Sequence, residues 1–122
     1  MGPEQSLAEL LRVSTQVVDV VVSGPGGVEA SSVADGSRAD RLGAVGAEAR
    51  ALAGPIRPGS TVTRVEVTLA NGSLFVVADR SRVVVATTVP EPAAGLVAQD
   101  LAATLARIDP PAAVGVDEGA VG

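Results

Sequence analysis

Between Val62 and Val89 the chain reads VTRVEVTLANGSLFVVADRSRVVVATTV, and its apolar positions repeat with the period of β-strands. Thr63, Val65, Val67 and Leu69 alternate with Arg64, Glu66 and Thr68, so the first run has one apolar and one polar face. A strand that polar on one side suits the edge of a sheet. Asn71-Gly72 separates it from a second apolar run, and this dipeptide predicts a type I′ hairpin turn with positive φ at both residues. A further reversal over Asp79-Arg80-Ser81-Arg82 leads into VVVATTV. The three runs together form an antiparallel meander.

The same alternation and its helical counterpart divide the rest of the chain. Gln16–Ser23 and Val28–Ser32 form a second hairpin across Gly24-Pro25-Gly26-Gly27, and the nearly continuous VVDVVV, interrupted by Asp19, predicts a central, well-buried strand. Leu7, Leu10 and Leu11 have helical spacing over Pro3–Val13. A second helix opens at Ser37, where Ser37-Arg38-Ala39-Asp40 pairs a capping side chain with an acid three residues on. It runs through Leu42, Val45, Ala49 and Leu52 and stops at Gly54-Pro55. A last helix over Pro92–Ile108 carries a stripe of Val97, Leu101, Leu105 and Ile108 with Leu96 beside it, and Pro110-Pro111 ends it. The order α-β-β-α-β-β-β-α describes an α+β domain, a five-stranded antiparallel sheet with helices on both faces. The domain body is assigned to residues 6–108, with 1–5 as an N-terminal tail and 109–122 as a disordered C-terminal tail.

The second helix is unusual. Gly43, Ala44, Gly46, Ala47, Ala51 and Ala53 fill most of the positions between its larger residues. Each interior glycine costs about 1 kcal/mol relative to alanine. Such residues persist where something packs very close to the backbone. Two partners fit equally well: the helix's own sheet, or the same helix of a second subunit.

Composition then narrows the chemistry. With 122 residues, 47% of them hydrophobic, the chain can bury one core, but Phe75 is its only aromatic residue. The core must be built from Val, Leu and Ala, and a small domain of this kind gains burial by pairing with another copy. Fourteen acidic residues against nine basic ones, all arginine, give a net charge of −5. An acidic chain without stacking aromatics is a poor nucleic-acid binder, and no apolar run is long enough to insert into a membrane. The N-terminus has no signal-peptide pattern, so cytoplasm is the default location. The absence of His, Cys, Lys, Tyr and Trp removes nucleophile pairs with histidine, Schiff-base lysines and the usual zinc ligands. The reading is a protein without catalytic, cofactor or metal residues.

The remaining motifs are weaker. Gly24–Gly27 lacks the Gly-Lys-Ser/Thr of a phosphate loop and joins two strands, so it reads as a turn. Asp19 and Asp79 would work as acid and base only if the fold brought them together. Arg80 and Arg82 flank a reversal, where arginine either discourages edge-to-edge aggregation or meets a partner's phosphate charge.

Four segments in this order resemble the roadblock family, named for a dynein light chain. They are VVVSGPGGVEASS (Val20–Ser32), ADRLGAVGAEARALA (Ala39–Ala53), VEVTLANGSLFVVADRSRVVVATT (Val65–Thr88) and PEPAAGLVAQDLAATLARI (Pro90–Ile108). The likeness spans about Leu7 to Ile108 and is to bacterial regulators of small Ras-like GTPases, the MglB type; the Gly24–Gly27 turn departs from the family, where an acidic residue is often found. It implies a roadblock-like, profilin-like architecture and a homodimer in which second helices pack together and edge strands join two sheets. Carried onto this chain, that interface comprises Arg41, Ala44, Val45, Ala47, Glu48, Ala51, Arg64 and Glu66. The implied partners are a second copy, a small Ras-like GTPase and a sensor-kinase-like protein, and the implied role is scaffold or modulator of GTP hydrolysis or localisation. A small-ligand sensor module is the alternative, which a single Phe disfavours because ligand pockets are normally lined by aromatics.

Overall fold

The computed structural model describes residues 1–79 and 81–109. Arg80 and 110–122, with most of the segment assigned as a C-terminal tail, lie outside the described residues. Helices α1 (Pro3–Val13), α2 (Gly36–Ala53) and α3 (Ala94–Arg107) alternate with strands β1 (Val17–Gly24), β2 (Gly27–Ser31), β3 (Arg64–Leu69), β4 (Gly72–Ala78) and β5 (Val83–Thr88) in the predicted order. The strands form one antiparallel sheet in the order β2-β1-β5-β4-β3. Strand β3 is an edge, as its alternation predicts. The middle position belongs to β5, not β1, although Val20, Val21 and Val22 of β1 are completely buried.

The two faces of the sheet are covered differently. Helices α1 and α3 lie together on one face, and Leu7, Leu10, Phe75, Val84, Val97, Leu101 and their neighbours form one continuous core there. Phe75 sits fully buried on β4 in that core. The buried Ser6 hydroxyl donates to the Thr104 carbonyl oxygen at 2.7 Å and ties α1 to α3. Ser6 thus takes the buried place expected of Leu11, which is exposed. On the other face α2 covers two small clusters alone, Val21 with Val33 and Ala39, and Leu74 with Val76 and Val85.

Several local expectations shift. In the β3–β4 hairpin Leu69 pairs with Gly72, so the two loop residues are Ala70-Asn71 rather than Asn71-Gly72. Gly72 carries the positive φ, 149°, and Asn71 does not. A Cβ at Gly72 would lie 2.2 Å from the Thr88 carbonyl oxygen, so both the dihedral and the neighbouring strand require glycine. The cap of α2 is Asp35, whose carboxylate accepts from the Ser37 and Arg38 amides at 3.0 and 3.3 Å. Ser37 lies inside the helix. Residues 3–5, assigned to a tail, form the first turn of α1. Asp109, also assigned to a tail, is tied down: its amide donates to the Met1 carbonyl at 2.8 Å.

Candidate interaction surface

Helix α2 crosses its face of the sheet with small residues inward. Gly46 sits directly on β5: a Cβ there would lie 2.2 Å from Cγ2 of the buried Val85. At Gly43 a Cβ would meet Ser23 Oγ at 3.1 Å. The two interior glycines therefore answer to the helix's own sheet. The alanines do not: Ala44, Ala47 and Ala51 are exposed on the outer side. Only Ala39 and Gly46 of the 18 helix residues are buried, so α2 rests on the sheet by a narrow strip.

What α2 leaves exposed is apolar where it borders β3. Val45 is 44% exposed and Leu52 74%, and Ile56, just beyond the helix, is 84% exposed. Val65, Val67 and Leu69 lie on the α2 side of β3, because they pair with Val76, Leu74 and Gly72. Between helix and strand runs a hollow of about 290 Å³ lined by Val45, Ala49, Leu52, Val67, Leu69 and Leu74, with Glu48 also on its wall. A second hollow of about 250 Å³ includes Arg41 beside Val45. Near it the Arg38 guanidinium pairs with Asp19 at 2.8 Å.

All eight residues expected at the interface are exposed. The structure gathers six of them, Arg41, Ala44, Val45, Ala47, Glu48 and Ala51, on the outer side of α2. Arg64 and Glu66 do not join that group. They pair with Val77 and Phe75, so they project from the α1/α3 side of the same edge strand. Val67, Leu69, Leu52 and Ile56 belong with the α2 group. Sequence reasoning missed them because apolar residues were assigned to the core, and only the sheet order shows that nothing among the described residues covers them.

The arginine at the β4–β5 reversal has a different role from either one expected. Arg82 is only 8% exposed. Its Nε donates to Glu29 at 2.7 Å and its Nη1 to the Asp109 carbonyl at 2.7 Å. It lies at the start of the central strand, so it neither guards an edge nor reaches out to a partner. It binds the β1–β2 hairpin, the β4–β5 turn and the end of α3 to one another. Gly24 permits this, since a Cβ there would collide with the Glu29 carboxylate. Asp79 closes the turn by accepting from the Ser81 and Arg82 amides at 3.1 and 2.9 Å. Asp19 is paired with Arg38 near the opposite end of β5, so the two aspartates form no acid–base pair. Among the described residues no cluster of acids could hold a metal ion, and no helix is long and apolar enough to cross a membrane.

The architecture matches solved structures. A Roadblock/LC7 domain from Streptomyces avermitilis superposes with a TM-score of 0.75 at 20% sequence identity, covering 87% of this chain and 93% of that one. A second Roadblock/LC7 domain structure from Streptomyces avermitilis gives 0.66 at 21% identity, covering 85% and 95%. The fold is that of a Roadblock/LC7 domain. No protein-family model and no curated protein matches the sequence. The roadblock fold is thus carried here by a sequence that keeps its alternation and element order but little residue identity.

Proposed function

We propose that this chain is a non-catalytic regulatory or scaffold protein that works as a homodimer and binds a small Ras-like GTPase, modulating its GTP hydrolysis or localisation. The roadblock fold supports the regulatory reading. One observation carries the dimer: among the described residues, the uncovered apolar surface of α2 lies directly beside the unpaired edge of β3. An edge strand offers a row of unsatisfied backbone donors and acceptors, and an apolar strip next to it gives a pairing strand something to bury. A two-fold axis through this edge would place β3 against β3 and α2 against α2, an isologous contact in which each copy fills the other's hollow. Burial of Val45, Leu52, Val67 and Leu69 on both copies would contribute at about 25 cal/mol per Å² of apolar surface removed from water.

In this reading the dimer acts on GTP hydrolysis by arranging the partner's own switch segments. Arg82, one of the two arginines that flank the β4–β5 reversal, is occupied within its own chain. The test is GTP turnover by a purified Ras-like GTPase encoded next to this gene, measured with and without the protein. A change in turnover, or complex formation in one nucleotide state, is expected. No binding in either the GDP or the GTP state overturns the proposal.

A further inference from the structure

We infer that the cavity between the β4–β5 turn and the C-terminal half of α2 is a binding site for a small oxyanion, the phosphoryl or carboxylate group of a low-molecular-weight ligand. The cavity measures about 620 Å³, within the range of small-ligand sites, and Arg50, Thr61, Thr63, Ser81 and Arg82 line it. Arg50 is the decisive group. Its Nε and Nη2 both donate to the Val62 carbonyl at 3.2 and 3.0 Å, which fixes the plane of the guanidinium. That acceptor is neutral, and among the described residues no carboxylate pairs with Arg50, whereas Arg12, Arg38 and Arg82 each have one. A half-buried, oriented guanidinium without a direct ion-pair partner is a receptor for an oxyanion, because charge-assisted hydrogen bonds strengthen away from bulk water.

The rest of the wall fits the same ligand. The side-chain hydroxyls of Thr61, Thr63 and Ser81 make no hydrogen bond among the described residues, so they are available as donors. Asp79, the acid on the wall, directs Oδ1 into its own turn, where two backbone N–H groups hold it. Glu29 already balances Arg82, and Asp79 offsets Arg50 in the overall charge of the wall, so recognition rests on the free guanidinium and hydroxyl donors, not on an excess of positive charge. The site uses neither the outer surface of α2 nor the hollow beside β3, and it stands or falls independently of self-association.

Titration of the isotopically labelled protein with inorganic phosphate and, separately, with acetate, followed by amide NMR at constant ionic strength, tests the assignment. Saturable shifts at Thr61, Thr63 and Ser81 are expected from at least one of the two anions. Phosphate alone identifies a phosphoryl ligand, and acetate alone a carboxylate. Arg50→Gln should weaken binding about tenfold or more, as expected for loss of a charged hydrogen-bond partner. Thr63→Val, which leaves the Arg50 tether in place, should weaken it severalfold, and Arg38→Gln should leave it unchanged. Shifts that fail to saturate, that chloride reproduces, or that Thr63→Val leaves unaltered overturn the assignment.

Discussion

The two faces of this sheet are built to different degrees of completion. On one, α1 and α3 lie side by side and close a continuous core around Phe75 and Leu101, both fully buried. On the other, α2 stands alone, buries only Ala39 and Gly46, and leaves Val45 and Leu52 in solvent. The first face is finished within the chain. The second has the spacing of a finished interface, down to a glycine seated against Val85, but among the described residues its outer surface has no cover. A small domain with a single aromatic side chain can divide its burial in this way between folding and association.

The contrast breaks most readily at its strongest point. Phe75→Ala should destabilise the protein by about 3–5 kcal/mol in urea denaturation, comparable with the whole stability of many small domains. Leu52→Ala, on the uncovered face, should change the stability of the dissociated chain by no more than about 0.5 kcal/mol, as surface substitutions do. Equal losses at the two positions would remove the distinction between the faces. Gly46→Val against Ala47→Val sharpens it within a single helix. The first forces methyl groups into Val85 and should cost about 1–3 kcal/mol, as overpacking does. The second points outward and should stay near the small helix-propensity difference, at most about 0.7 kcal/mol.

A smaller loss is expected from Glu29→Gln, which leaves the buried Arg82 with a neutral partner. Because Glu29 is itself partly exposed, about 1–2 kcal/mol is expected, below the loss for breaking a fully buried pair. The smallest effect belongs to the exposed pair on α1. The Arg12 guanidinium, hydrogen-bonded to Glu9 at 2.6 Å, holds that carboxyl below its ordinary value of 4.5. A lowered carboxyl pKa stabilises the fold above the unfolded value, and that contribution is lost as the pH falls through the folded one. Arg12→Ala should therefore return the Glu9 titration, followed by NMR, toward 4.5, while the melting temperature at neutral pH hardly moves.

The finished face was legible in the sequence and the unfinished one only in part. Val97, Leu101, Leu105 and Ile108 all proved buried, because an amphipathic helix on a sheet advertises its inner side. Helix α2 gives no such contrast. Small residues surround it, so the glycines that lie against the sheet could not be told from the outward Ala44, Ala47 and Ala51 until Ser23 and Val85 were placed. Strand β3 was recognisable as an edge from its alternation, but the side on which α2 lies follows from register with β4, which no local pattern encodes. Arg82 was misread for a related reason: Glu29 is 53 residues away in sequence, and a local view saw two exposed arginines at a turn. Ser6 was overlooked because its buried hydroxyl depends on a carbonyl 98 residues distant.

The central claim is that the uncovered α2 face and the β3 edge together form a self-association surface, and the mass of the particle in solution tests it most directly. Sedimentation equilibrium at micromolar concentration should give twice the 12.0 kDa of the chain, and Leu52→Asp combined with Val45→Glu should give a folded monomer with an unchanged circular dichroism spectrum. A wild-type protein that sediments as a monomer at that concentration, or a double variant that stays dimeric, would contradict it.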